Sequence, residues 1–199
     1  AVTGREEARY RDAGGVDLTR DAEPRSGYLV GRARREYRGG GTLVGGAVTA
    51  VHRDLGTDVL RQFFRSDALA GGVDFRHEWS GRAWALRGDL EGSYVAGSAR
   101  SIALVESASN HFFQRPDADH LEASADPAAP LGTRASLTGY SASVGLTKQS
   151  GEHWRGDLAV AATSPGYEVN DLGYSYRTDR RDVALNVSYR QNRPTPRLR

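Results

Sequence analysis

Apolar and polar residues alternate along much of this chain, most regularly between residues 69 and 96. Leu69, Gly71, Val73, Phe75, His77 and Trp79 fall on one side, against Ala70, Gly72, Asp74, Arg76 and Glu78. After a turn at Ser80-Gly81, the positions Trp84, Leu86, Gly88, Leu90, Gly92, Tyr94 and Ala96 alternate with Ala85, Arg87, Asp89, Glu91 and Ser93. A period of two belongs to a β-strand, whose successive side chains point to opposite faces. The spacing predicts a hairpin of two long strands with one apolar face and one charged face. Segments of about ten residues, apolar outward and polar inward with aromatic rings at the ends, are what a bilayer requires of β-structure.

The same alternation predicts strands over 28–37, 42–52, 136–148, 154–163, 169–177 and 183–193, and Ala1 to Thr3 reads as the tail of another. Residues 42–52 are small or apolar on both faces, which leaves their register open. Residues 4–27 are polar and rich in turn formers, and read as a loop. The intervening connections alternate in length. Those at 38–41, 80–81 and 149–153 are short, those at 53–67 and 97–135 are long, and 164–168 is moderate before a short one at 178–182. An up-and-down barrel in an outer membrane has this asymmetry, with short periplasmic turns and longer external loops. It sets Trp79, Trp84, Trp154 and Tyr189 as interfacial aromatics, with Tyr94, Tyr140 and Tyr174 toward the external rim. The lumen would then be lined by Asp74, Arg76, Glu78, Arg87, Asp89, Glu91, Arg155, Asp157 and Arg190, which could pair across neighbouring strands or set pore selectivity.

Composition narrows the picture in three ways. The chain has 199 residues and no cysteine, which removes disulfides and thiolate metal sites. Its apolar runs fall far short of the roughly 20 residues a membrane helix needs. Its cations, all arginine except Lys148, are interspersed with nearly as many carboxylates at a net charge of +2, so no single-sign stripe emerges for a nucleic-acid backbone.

Chemistry-bearing motifs are sparse. The acidic stretch Asp117, Asp119, His120, Glu122 and Asp126 offers oxygen ligands of the kind calcium takes, without EF-hand spacing, so a solvated external loop is the plainer reading. The same stretch, with Phe112, Phe113 and Arg115, suits a lumen-folded constriction. Asp89 and Glu91 sit two apart on one face, as a glycosidase could use, but such pairs arise by chance on a charged wall. No metal, cofactor or nucleophile signature is present.

Two stretches resemble a family. Phe113-Gln114-Arg115-Pro116-Asp117-Ala118-Asp119-His120, followed by Ser136-Leu137-Thr138-Gly139-Tyr140, is one. Ser164-Pro165-Gly166-Tyr167-Glu168-Val169-Asn170-Asp171-Leu172-Gly173-Tyr174 is the other. Together they resemble the C-terminal region of large, functionally uncharacterised bacterial proteins that join an N-terminal carbohydrate-binding family-9-like domain to an outer-membrane β-barrel. The resemblance runs from about Ala1 to Pro194, and Thr195 to Arg199 departs from it. It implies that the chain belongs to a bigger barrel with further strands and a sugar-binding-like domain, and it brings no catalytic residues.

The expectation is therefore an all-β, antiparallel, up-and-down transmembrane barrel or barrel segment over 1–199, with a long loop at 97–135 and an irregular tail at 194–199. It is porin-like or surface-anchoring, non-enzymatic and without cofactor, and sits in a bacterial outer membrane. Its partners would be the lipid bilayer, lipopolysaccharide and the missing parts of the same protein, with carbohydrate a further candidate and nucleic acid excluded. The competing expectation turns the strands inside out, as a soluble β-barrel or sandwich binding a carbohydrate or small ligand through Trp79, Trp84 and Trp154. A hydrolase site around Asp117 to Glu122 is a third.

Overall fold

The computed structural model describes residues 1–117 and 133–191. Its elements are β1 (Val2–Thr3), β2 (Glu6–Arg11), β3 (Asp17–Glu23), β4 (Arg25–Tyr37), β5 (Thr42–Asp54), α1 (Asp58–Phe63), β6 (Arg65–Trp79), β7 (Trp84–Gly97), α2 (Ala99–Glu106), β8 (Ser136–Lys148), β9 (Trp154–Thr163) and β10 (Arg180–Tyr189). Eight strands form one antiparallel sheet in the order β1-β4-β5-β6-β7-β8-β9-β10, and β2 and β3 form a separate ribbon. From β4 onward each strand lies beside the next in sequence, as an up-and-down meander requires. Among the described residues no pairing joins β10 to β1 or β4. The described sheet is open, an antiparallel meander with two free edges.

Register fixes the faces. Trp79 pairs with Trp84, Val73 with Leu90 and Leu69 with Tyr94 across β6 and β7. Val44 pairs with Phe75, Gly88 with Val144, and Val144 with Val160, which in turn faces Val183. Partners opposite each other share a face, so these rows run unbroken from β4 to β10. None of the described residues covers them: Val73 is 59% exposed, Leu185 71% and Val183 73%. The apolar face is the bare one, and the other carries what core there is. At the end of the sheet away from the short turns, Val51, Ala68, Val95 and Leu137 on the strands meet Ile102 and Val105 of α2 and Phe113, with Tyr28 and Leu172 packed alongside.

The short connections 38–41, 80–83 and 149–153 gather at one end of the sheet. At the other lie 55–64 with α1, 98–117 with α2, and 164–179. Both helices are capped by hydroxyls. Thr57 accepts from the Leu60 N–H, and Ser98 accepts from the Ser101 N–H while donating to the Arg61 carbonyl. These satisfy donors that a helix start otherwise leaves orphaned.

Three expectations need correction. Residues 4–27 contain the β2–β3 ribbon. It is exposed on both sides and turned by Asp12, whose carboxylate accepts from the N–H groups of Gly14 and Val16. The long 97–135 connection is partly helical, through α2. Residues 169–177 are not a strand: Leu172 and Gly173 donate their N–H groups back to Val169, and Asn170 accepts from the Ser175 N–H. Local turn bonds take the backbone groups a ladder would have used, so β9 pairs directly with β10, and 164–179 is one long connection.

Candidate functional site

The candidate site is the polar face together with the loops that fold over it. As the period of two requires, Asp74, Arg76 and Glu78 on β6 share that face with Arg87, Asp89 and Glu91 on β7 and with Arg155 and Asp157 on β9. Arg190 lies just past β10, where its N–H donates to the His153 carbonyl. The expected cross-strand ion pairs do not form between β6 and β7. The 80–83 turn sets a register that places Asp74 opposite Asp89 and Arg76 opposite Arg87. Like charges face each other, an arrangement that disfavours the pair, and partners are found elsewhere. Arg76 binds Glu78 on its own strand, Asp89 accepts from the Ser143 hydroxyl, and Glu91 accepts from the Tyr167 hydroxyl.

Over this face the 164–179 connection crosses the sheet. Its path depends on two glycines. A Cβ on Gly139 of β8 would lie 2.1 Å from the Tyr167 nitrogen, and one on Gly166 would lie 2.2 Å from the Thr138 carbonyl oxygen, so the two backbones touch directly there. Beyond the crossing the loop is held by charge. Asp171, 2% exposed, is gripped by Arg65 at 2.8 and 3.0 Å and by Arg53 at 2.7 Å. Glu168 receives the Asn170 N–H at 2.6 Å and His111 Nε2 at 2.7 Å, while its own N–H donates to Ser93. Burial works against ionisation of Glu168, but the bond from His111, the Asn170 N–H and the charge of Arg65 outweigh it and hold its carboxyl below the usual glutamate range. Burial, reinforced by Glu91, pushes the Tyr167 phenol up.

His111, fully shielded, stitches the two long connections together. Its Nδ1 lies 2.8 Å from the Pro165 carbonyl and 3.3 Å from Thr178 Oγ1, whose own proton goes to the Asn110 carbonyl, and its ring meets Phe113 edge-on. Both ring nitrogens therefore face acceptors. Arg134 anchors α2 through Glu106 at 2.8 Å, and Arg115 binds Asp179. The result is a cover over the long-connection end of the polar face. Beneath it is a cavity of about 300 Å³ lined in part by Asp74, Asp89, Glu91, Tyr167, Leu172 and Tyr174.

The sequence-predicted residues divide accordingly. Trp79 and Trp84 stack at 6.2 Å, and Trp154 meets Tyr189 at 5.0 Å, both pairs at the short-turn end. Tyr94 and Tyr140 sit on the apolar face toward the other end. Tyr174 lies in the 164–179 connection and not on the strand predicted for it. Of the loop motif, Gln114 donates to the Ser107 carbonyl, Pro116 follows Arg115 in a turn, and Asp117 lies 3.1 Å from Arg115. Asp119, His120, Glu122 and Asp126 lie outside the described residues, as do 194–199. Among the described residues no group of three or more His, Asp or Glu is placed to hold a metal, and no helix is long and apolar enough to cross a membrane.

Glu168 and Asp171 stand in the second of the family-like stretches but, like His111, had no role assigned by sequence. The available signal was turn chemistry, Asn170-Asp171 and Gly173 inside an apparent strand. A family model described as a domain of unknown function (DUF5916) matches residues 55–199. No curated protein matches the chain, and no solved structure does.

Proposed function

We propose that this chain, which belongs to the family described as a domain of unknown function (DUF5916), is part of a transmembrane antiparallel β-barrel of a bacterial outer membrane. It serves as a pore or as a surface anchor, without catalysis of its own. One observation carries the reading: the face that is bare is the apolar one. Rows of Val, Leu, Phe and Tyr lie uncovered from β4 to β10, while the charged face receives the loops. In water an uncovered apolar area of that extent is unfavourable, and in hydrocarbon it is what a spanning strand presents. Strands of 10 to 15 residues from β4 to β10 meet the roughly 9–11 that a tilted crossing takes.

Two further features agree. Short and long connections alternate strictly from β4 to β10, and aromatic pairs sit beside the short turns. In this reading β10 on one edge and β1 with the free part of β4 on the other accept further strands of a larger barrel, consistent with the resemblance to proteins carrying a carbohydrate-binding family-9-like domain. The cover then occludes the lumen at one mouth. The soluble alternative needs a second layer over the apolar face, and none of the described elements supplies it.

The test is folding with and without detergent micelles, followed by circular dichroism and heat-modifiable gel mobility. The reading expects β-structure and a mobility shift only with micelles. A monodisperse β-protein in plain buffer would overturn it.

A further inference from the structure

At the short-turn end of the apolar face, cations rest on aromatic rings. Lys148 Nζ lies 5.6 Å from the centre of the Trp84 ring, which stacks on Trp79, which in turn stacks on His77 at 5.8 Å. On β4 the Arg35 guanidinium lies 5.0 Å from the Tyr37 ring. The charge at this rim is uneven. Arg34, Arg35, Arg38, Arg82 and Lys148 face only Glu36, Glu78 and Glu152 along the ends of β4, β6 and β8 and the three short turns. Glu78 is already engaged by Arg76, Arg82 and Gln149. No carboxylate among the described residues pairs with Arg35 or Lys148.

We propose that this rim binds the phosphates of anionic glycerophospholipids. Arg35 and Lys148 stand on β4 and β8 with β5, β6 and β7 between them, so each meets the headgroup oxygens of its own lipid, and Trp79 and Trp84 lie beside Lys148 along the boundary with the acyl chains. The proposal rests on the lipid-facing reading of the apolar face and names the partner that face selects. An ammonium above an indole is held by the ring while its three donors stay free for an acceptor, and long cationic side chains lay their stems on apolar surface with the charged head at the interface. Free phosphate or an acidic peptide would satisfy the cations alone. The apolar rows begin directly beside Lys148 at Leu86, Leu146 and Leu158, and beside Arg35 at Val44 and Phe75. Only a partner that offers an anion and a hydrocarbon tail in one molecule matches both, and each cation near an anionic leaflet contributes about fivefold in association.

The experiment folds the full chain into phosphatidylcholine vesicles carrying a trace of spin-labelled phosphatidylglycerol or spin-labelled phosphatidylcholine, and reads the motionally restricted lipid by electron paramagnetic resonance. At low ionic strength the chain should prefer phosphatidylglycerol by at least about fivefold. The combined R35Q and K148Q variant should fall to parity with its gel-mobility shift intact, and R87Q on the polar face should keep the preference. Parity in the unaltered chain, or a preference surviving R35Q and K148Q, would overturn the proposal while leaving the membrane reading standing. Absence of restricted lipid of either kind would overturn both.

Discussion

Replacing Asp171 by alanine tests whether the cover is held by charge or merely rests on the sheet. The carboxylate makes three contacts of 2.7 to 3.0 Å with two arginines and is 2% exposed, while Arg53 and Arg65 are 10% and 24% exposed. Breaking a buried pair by removing one partner costs about 3–5 kcal/mol, largely because the remaining charge is left without compensation. Arg65 is partly wet, so the lower end, about 3 kcal/mol, is the expected value. Local opening governs amide exchange, and 1.4 kcal/mol is a factor of ten, so protected amides of 164–179 should exchange roughly 150-fold faster. Hydrogen exchange followed by mass spectrometry in micelles reads this peptide against β6 and β7, whose ladders should be unchanged. Asp171→Asn, which keeps one acceptor oxygen and loses the charge and the second acceptor, should fall between. If exchange over 164–179 rises less than threefold in Asp171→Ala, the arginines are not what holds the loop, and the backbone crossing at Gly139 is.

Gly139→Ala should displace the cover by steric means alone, because the new Cβ would fall 2.1 Å from the Tyr167 nitrogen. Limited proteolysis within 164–179 should accelerate, with the β-sheet dichroism retained. Val160→Arg, on the apolar face, should cost about 2–4 kcal/mol near a bilayer midplane and reduce the folded fraction on heat-modifiable gels, whereas Arg87→Leu on the polar face should leave it nearly unchanged. Equal tolerance of both would refute the assignment of faces. Because the Glu168 carboxyl is held below its ordinary range near 4.3, its contribution to the cover is complete above that value and is lost as pH falls below it. Exchange protection of 164–179 should decline in that acid window, and in Glu168→Gln the same window should show no such loss.

The faces of the sheet were legible in the chain because the period of two survives wherever one side of a strand is polar. Trp79 and Trp84 bracketed the tightest turn, and the predicted strands 84–96 and 136–148 differ from β7 and β8 by at most a residue. Register in β5 was not legible, since Val44 and Val48 on one face and Leu43 and Val51 on the other are alike in hydropathy. Pairing with β4 and β6 decides it. The β2–β3 ribbon escaped because its contrast is weak: Ala8, Tyr10 and Leu18 share one side with Arg20, and Arg9, Arg11 and Asp17 line the other, over strands of only 6 and 7 residues. Helix α2 left a signal, a serine cap at Ser98 with Ile102 and Val105 three apart, but it is short and lies within a stretch dominated by polar residues. The strand predicted over 169–177 failed for a different reason. Leu172, Tyr174 and Tyr176 do alternate, yet local turns at Val169 and Asn170 take the backbone groups, and Asp171 is held by Arg53 and Arg65 far away in sequence, about which alternation carries no information. The like-with-like facing of Asp74 and Asp89 follows equally from a turn geometry that side-chain charge does not encode.

Arg65 and Asp171 stand 106 residues apart in the chain, and that separation has a kinetic consequence. Closing so long a stretch costs conformational entropy that nearby strand pairs do not incur. The hairpins β4–β5, β6–β7 and β8–β9 can zip locally, while the grip on Asp171 has to wait until β9 exists to carry the loop across Gly139. Until then Arg53 and Arg65 wait as uncompensated cations on a half-built wall. Their neutralisation is thus a late event of assembly, and a chain stalled before it would have its apolar face complete and its polar face uncovered.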